Sequence, residues 1–183
     1  NTTADYNVAF GYKALNLNTT GEQNTSVGSF ALDANTTADQ NTAIGYAALG
    51  GNTTGQFNCA LGVGALQNNT TASNNTAMGV NSLLLNTTGT QNVAFGAYAL
   101  DANTTGQGLT AIGYNALGSN TTANNNTAVG DQSITANTGG TSNVAIGAGA
   151  LVSNTTASYN IAIGNNSLYN NTTGAKNISI GVN

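Results

Sequence analysis

Residues 35–51 have the sequence NTTADQNTAIGYAALGG, and this 17-residue pattern occurs eleven times in the chain without an insertion or deletion. The repeat is numbered here from its first Asn as position 1. A fixed short period is typical of stacked coils, so residues 1–183 are interpreted as a single repeat domain. The eleventh repeat is truncated, and we expect the chain to be part of a longer fibre.

The segment from Asn41 to Gly45 alternates between two faces, as a β-strand requires. A helix would carry a glycine in every copy, at a cost of about 1 kcal/mol each relative to alanine. The apolar pair Ala48 and Leu49 indicates a second short strand, and Asn-Thr-Thr segments are typical of turns. We therefore predict an all-β fold, a parallel β-solenoid with one coil per 17 residues and coils about 4.8 Å apart.

Two columns of identical residues should run along this solenoid. The asparagines at position 7 are predicted to pair their side-chain amides from coil to coil as structural ladders: Asn7, Asn24, Asn41, Asn58, Asn75, Asn92 and their later counterparts. The glycines at position 11 are predicted to form a single column: Gly11, Gly28, Gly45, Gly62, Gly79, Gly96, Gly113, Gly130, Gly147, Gly164 and Gly181.

Bulky side chains occur at three positions of the repeat, and we expect them to form the core. These are position 8, position 15, which is Leu in most coils, and position 10, which holds Phe10, Val27, Ile44, Leu61, Met78, Phe95, Ile112, Val129, Ile146, Ile163 and Ile180. The opposite strand face, of Asn, Ala and Gly, would then be free to pack against sister chains. Because one coil buries few large residues, we expect a parallel homotrimer, although the period is also compatible with a monomer.

The charge and composition limit the possible functions. The chain has 2 basic and 6 acidic residues, no His and a net charge of -4, so it has no basic patch for nucleic acid. No apolar run approaches the roughly 20 residues that cross a bilayer. We expect no enzyme activity, no catalytic residues and no cofactor, because acid–base catalysis needs paired groups in a pocket.

Candidate ligands for a metal are few. Asp5, Glu22 and Asp39 share position 5 in successive coils and could hold a hard cation, but a solvated acidic patch without a metal is the expected interpretation. The single cysteine, Cys59, occupies position 8 and is interpreted as a small apolar residue of the core.

Two surface features bear on carbohydrate. Ten copies contain Asn-Thr-Thr, which fits the N-glycosylation pattern, but turn formation is the favoured explanation. Aromatic residues lie at variable positions of the repeat, where exposed rings could stack on sugars. The candidates for glycan contact are Tyr6, Tyr12, Tyr46, Tyr98, Tyr114 and Tyr159.

The segments Asn41–Gly45 and Asn143–Gly147 resemble the Asn-Ser-Val-Ala-Ile-Gly repeats of YadA-type trimeric autotransporter adhesin heads. The longer segment Asn41–Leu49 also resembles repeats of viral and bacterial tail-fibre-like proteins. The resemblance implies a trimeric, left-handed parallel β-roll that projects from a cell or virion and binds receptors or surfaces.

We therefore expect an extracellular structural or adhesive fibre segment that assembles with itself and attaches to a host or surface glycan. The alternatives are a purely structural filament and an ice-binding solenoid, in which threonine arrays on a low-charge β-solenoid would order water. Thermal hysteresis distinguishes the ice-binding alternative.

Overall fold

The computed structural model describes residues 3–182 and shows a parallel β-solenoid. Each coil contributes one three-residue strand at positions 8–10 of the repeat. In chain order the strands are β1 (Val8–Phe10), β2 (Thr25–Val27), β3 (Thr42–Ile44), β4 (Cys59–Leu61), β5 (Thr76–Met78), β6 (Val93–Phe95), β7 (Thr110–Ile112), β8 (Thr127–Val129), β9 (Val144–Ile146), β10 (Ile161–Ile163) and β11 (Ile178–Ile180). The prediction of an all-β solenoid is confirmed.

The strands form one eleven-stranded parallel sheet in which spatial order follows chain order. Its register equals the sequence period, since Ala43 pairs with Ala60 and Ile44 with Leu61, each 17 residues later. A parallel ladder needs a connection that returns each strand to the same end, and the remaining fourteen residues of each repeat supply it.

The second predicted strand, at positions 14 and 15, does not form in the described residues. Position 15 has a left-handed backbone in every coil from Leu15 to Leu168, with φ between 48° and 55°. The segment still bonds to the next coil, because the Leu32 and Leu49 amides donate to the Ala48 and Ala65 carbonyls at 3.1 and 3.0 Å. It is therefore a hydrogen-bonded stack of turns. Ile134 adopts a φ of 49° in this stack, which is an unfavourable backbone conformation for a β-branched residue.

The interior of the coil contains the face that we expected to lie outside. Ala43 and Ala60, at position 9, are completely buried, whereas Ile44 and Leu61, at position 10, are 38% and 39% exposed. Only the prediction for position 15 holds, with Leu49 among the completely buried leucines. The interior is narrow, and alanine, leucine and asparagine columns fill it, so the larger side chains of positions 8 and 10 project outward. The predicted core at position 10 was therefore wrong.

Candidate functional site

The position-7 asparagines lie inside the coil and connect successive coils. The Asn58 amide N–H donates to Oδ1 of Asn41 at 3.0 Å, and the Asn75 amide donates to Oδ1 of Asn58 at the same distance. The side-chain nitrogen of Asn41 donates to the Gly55 carbonyl at 2.9 Å. Between successive asparagines this column therefore joins side chain to backbone, and direct amide-to-amide bonds occur only in some coils, as between Asn58 and Asn41 at 3.2 Å.

A second asparagine ladder lies at position 1, where the sequence indicated only turns. Asn35 Nδ2 donates to Oδ1 of Asn18 at 2.8 Å and to the carbonyl of Ala38 at 3.1 Å, and Asn35 is completely buried. Asn52 repeats the pattern with Oδ1 of Asn35 and the carbonyl of Gly55. Because both amide hydrogens are used, a glycan on these nitrogens is incompatible with the folded stack. The 17-residue spacing of these asparagines was the signal for this ladder.

One coil breaks the position-7 ladder, because Leu109 replaces asparagine there. The Leu109 amide still donates to Oδ1 of Asn92 at 3.0 Å, but no side chain accepts from the amide of Asn126 in the next coil. Asn126 is buried, and its backbone N–H has no hydrogen bond among the described residues. An unpaired buried donor costs roughly 1–3 kcal/mol.

We expect the Asn126 amide to exchange its hydrogen faster than the bonded Asn143 amide in the following coil. The Leu109→Asn variant should slow this exchange, because the new Oδ1 would accept from Asn126 as the neighbouring ladders do. Hydrogen-exchange NMR measures both amides in one sample. Equal exchange at Asn126 and Asn143 in the wild-type chain would show that the ladder gap has no local effect.

The strand face is defined here as the outward side chains of positions 8 and 10 on the eleven-stranded sheet. It carries exposed aliphatic and aromatic groups, including Phe95 at 53%, Ile112 at 39% and Ile146 at 41% exposure. Cys59 also lies here, partly buried and with a free thiol, and is not a core residue. Eleven strands of three residues span roughly 10 by 50 Å, so the strand face covers about 500 Å². Position 10 is apolar in every coil, whereas position 8 is threonine in five of them.

The structure groups some of the predicted glycan-contact residues and separates others. The Phe30 ring meets Tyr12 at 5.4 Å and Tyr46 at 5.8 Å, both edge to face, so Phe30 completes a cluster that the sequence did not single out. Tyr98 and Tyr114 form a second pair at 5.9 Å. Tyr6 and Tyr159 are exposed and have no ring contact among the described residues.

An open groove of about 330 Å³ lies beside the first aromatic cluster. It is called the edge groove here. Its lining residues are Phe30, Asp33, Tyr46, Ala47, Gly50, Gly51, Gln67 and Asn68. Three successive coils contribute, with aromatic groups on one side and a carboxylate and two amides on the other. The volume lies near the lower limit for small-molecule sites.

The carboxylates at position 5 do not form a metal centre in residues 3–182. The Glu22 amide donates to Oδ1 of Asp39 at 2.8 Å, so one carboxylate acts as a coil-to-coil acceptor. No group of three or more His, Cys, Asp or Glu side chains in this range is placed to hold a metal ion. At position 16 of the repeat, burial raises the pKa of the Asp101 carboxyl, although backbone hydrogen bonds from Ala102 and Asp101 oppose the effect.

Over the same range, no helix has the length and apolar character to cross a membrane. No known protein family, curated protein or solved structure matches this chain.

Proposed function

We propose that this chain is a segment of an extracellular, non-catalytic fibre, in which parallel copies pack through their strand faces and the turn edges attach to a surface glycan. The observation that carries the proposal is the row of apolar position-10 side chains on the outer side of the sheet. A face of about 500 Å² with an apolar side chain in every coil is comparable to the largest apolar patches of monomers, which are often functional. Its length matches that of the whole stack, so the partner that fits it best is an equally long copy of the chain.

The two kinds of surface have different chemistry. The strand face carries an apolar side chain at position 10 in every coil, and three such faces turned toward one axis would exclude water from these side chains. The turn edges carry the variable residues, and in that arrangement they would point away from the axis. The choice of three chains is supported by the resemblance of Asn41–Gly45 to trimeric adhesin-head repeats.

The position of the interface differs from the expectation drawn from the sequence. Sister chains were expected to pack on the face of Asn, Ala and Gly, but Asn41 and Ala43 are buried inside the coil. The proposed self-association therefore uses the opposite face, where Ile112 and Ile146 are partly exposed. The proposal therefore retains the three chains expected from the sequence but places their contact on the strand face.

The Ile112→Asp/Ile146→Asp double variant tests this assembly. We expect the wild-type chain to sediment at three times the chain mass and the variant at the chain mass, because two carboxylates on each strand face would be buried unpaired in the trimer. Circular dichroism of the variant should still show β-structure, since both positions project outside the coil.

The control variant is Thr105→Asp/Thr122→Asp, which places the same charges at exposed turn positions. It should sediment like the wild-type chain. A wild-type chain that remains monomeric at all concentrations, or a strand-face variant that still forms trimers, would contradict the proposed assembly.

One observation favours ice binding as a second candidate. Position 8 projects outward, and five of its eleven residues are threonine: Thr25, Thr42, Thr76, Thr110 and Thr127. The threonines of position 2 are less suited to bind ice, because hydroxyls such as that of Thr53 donate to the next coil, here to the Thr70 carbonyl at 3.0 Å. Thermal hysteresis in the wild-type chain, lost in a Thr110→Val/Thr127→Val variant, would support this candidate over the fibre.

A further inference from the structure

The edge groove is open because small residues occupy its floor. Gly50 has no side chain, and a Cβ atom there would lie 3.3 Å from Oδ1 of Asp33 and from the carbonyl oxygen of Phe30. Ala47, one coil above Phe30, contributes only a methyl group. A ligand in this space would therefore meet two oxygen acceptors beside the rings of Phe30 and Tyr46.

The polar groups around the groove have unused hydrogen-bonding capacity. Within residues 3–182, neither the Asp33 carboxylate nor the side-chain amides of Gln67 and Asn68 make a hydrogen bond to the protein. A carboxylate accepts several hydrogen bonds, and each amide both donates and accepts. The groove thus combines an aromatic wall with groups suited to hydroxyls.

The same constellation occurs again four coils further along the chain. Tyr98, Asp101 and Tyr114 occupy the repeat positions of Phe30, Asp33 and Tyr46. The centres of the Tyr98 and Tyr114 rings are 5.9 Å apart. Those of the Phe30 and Tyr46 rings are 5.8 Å apart. Four coils correspond to about 19 Å along the stack.

The second copy is closed by one side chain. Asn115 stands where the first copy has Ala47, and its Oδ1 occupies the space that a Cβ of Gly118 would need. In the first copy the corresponding space, beside Gly50, is part of the groove. The two copies share two rings and a carboxylate, but they differ at position 13 and in the polar wall, where Ser119, Thr135 and Ala136 replace Gly51, Gln67 and Asn68.

We propose that the edge groove binds a neutral pyranose, with Phe30 and Tyr46 against its C–H groups and Asp33, Gln67 and Asn68 at its hydroxyls. The electron-rich faces of aromatic rings attract the weakly positive C–H groups of a sugar. Asp33 disfavours an acidic sugar, because like charges repel. A cationic ligand is disfavoured because Lys13 Nζ already lies 5.7 Å from the centre of the Phe30 ring. The inference rests on the proposed attachment role for its choice of ligand class.

The experiment titrates the intact chain with glucose, galactose, mannose and N-acetylglucosamine and follows the amide resonances of Gly50, Gly51 and Asn68 by NMR. We expect at least one sugar to bind with a Kd on the order of 1 mM, as fits an open site with few contacts. The Ala47→Asn variant should abolish binding by filling the groove. Its fold should persist, because the backbone at position 47 is left-handed, with a φ of 53°, and tolerates asparagine.

Two further variants make the result specific. Asn115→Ala should clear the space beside Gly118 without creating an equivalent second site, because Thr135 and Ala136 stand there in place of Gln67 and Asn68. Tyr46→Ala should weaken binding at the first copy roughly tenfold, which is the scale of one lost ring contact. The matched control is Tyr114→Ala, which alters the filled copy and should leave binding unchanged.

Several outcomes would overturn the inference. The first is the absence of amide resonance shifts with every sugar up to about 100 mM, which is a hundred times the expected Kd. The second is sugar binding that Ala47→Asn does not reduce. The third is preferential binding of tetramethylammonium. Sedimentation of the same samples separates this inference from the fibre proposal. Trimers without sugar binding would remove the groove site alone, whereas sugar binding by a monomer would remove the fibre alone.

Discussion

Replacing Gly96 by alanine will disrupt the centre of the solenoid. Gly96 has a φ of 138°, a conformation that strains any residue with a side chain. An added Cβ would lie 2.5 Å from the carbonyl oxygen of Gly113 and 2.7 Å from its carbonyl carbon. Both atoms belong to the backbone of the next coil, so they cannot rotate away. We expect the free energy of unfolding to fall by roughly 3 kcal/mol from strain and collision together.

The measurement is denaturant unfolding followed by circular dichroism, and two other glycines provide controls. Gly139 lies at an exposed position where other coils carry threonine, and its added Cβ would meet only Thr156 Cγ2, at 3.8 Å. Gly139→Ala should change stability by no more than about 0.5 kcal/mol. Gly181 has a φ of 146° but no atom within 4 Å of an added Cβ, so Gly181→Ala reports the strain without the collision. Equal stability of the Gly96 and Gly139 variants would show that adjacent coils have room for side chains at position 11.

The sequence was sufficient to predict the coil and its register. A strict period with no insertion allows only one pairing, in which Ala43 lies beside Ala60, and the structure has that pairing. The Asn-Thr-Thr segments were assigned to turns, but in the structure they are bends, with the hydrogen-bonded turns just before them, and their ladder was not predicted. Their asparagines are polar residues in an apolar interior. The sequence does not reveal that Asn35 Nδ2 donates to Oδ1 of Asn18 at 2.8 Å.

The predicted direction of the strand side chains was wrong because it relied on hydrophobicity alone to identify the interior. Position 10 varies in size from Val27 to Phe95, which a narrow, closely packed interior would not tolerate. Position 9, by contrast, is alanine or serine in all eleven coils. Restricted size, rather than apolar character, was the signal for burial, and it identifies Ala94 as interior and Phe95 as exterior.

The groove could be predicted only in part. Rings at position 13 of one coil and position 12 of the next, such as Phe30 and Tyr46, are neighbours once the coils are stacked. The space beside them is open next to Ala47 in the first copy and filled by Asn115 in the second, and the lining residues Gly51, Gln67 and Asn68 also differ between the copies. Such a difference in side-chain placement has no periodic signature in a single sequence.

The Leu100→Asp variant should lose more stability than any substitution on the strand face. Leu100 is completely buried among the stacked alanines and leucines. The substitution removes an apolar side chain and places a carboxyl in its space without a partner, at an expected cost of about 4 kcal/mol or more at pH 7. Thr105→Asp is the control, because Thr105 lies at an exposed turn position away from the strand face and its replacement stays in water in the single chain and in the proposed trimer. Thermal melting of the isolated chains compares the two variants.

The pH dependence of this loss identifies burial as its cause. Desolvation in the folded Leu100→Asp variant raises the pKa of the introduced carboxyl above its unfolded value of about 3.9. The folded state then binds more protons than the unfolded state, so the stability of the variant falls as pH rises from about 3.9 to the folded pKa. The wild-type chain has only 6 acidic residues, which keeps the background small. The gap between wild type and variant should therefore be narrower at about pH 3 than at about pH 7, whereas Thr105→Asp should show no such narrowing. A pH-independent gap for Leu100→Asp would mean that the carboxyl reaches water, and position 15 would then not be the core of the coil.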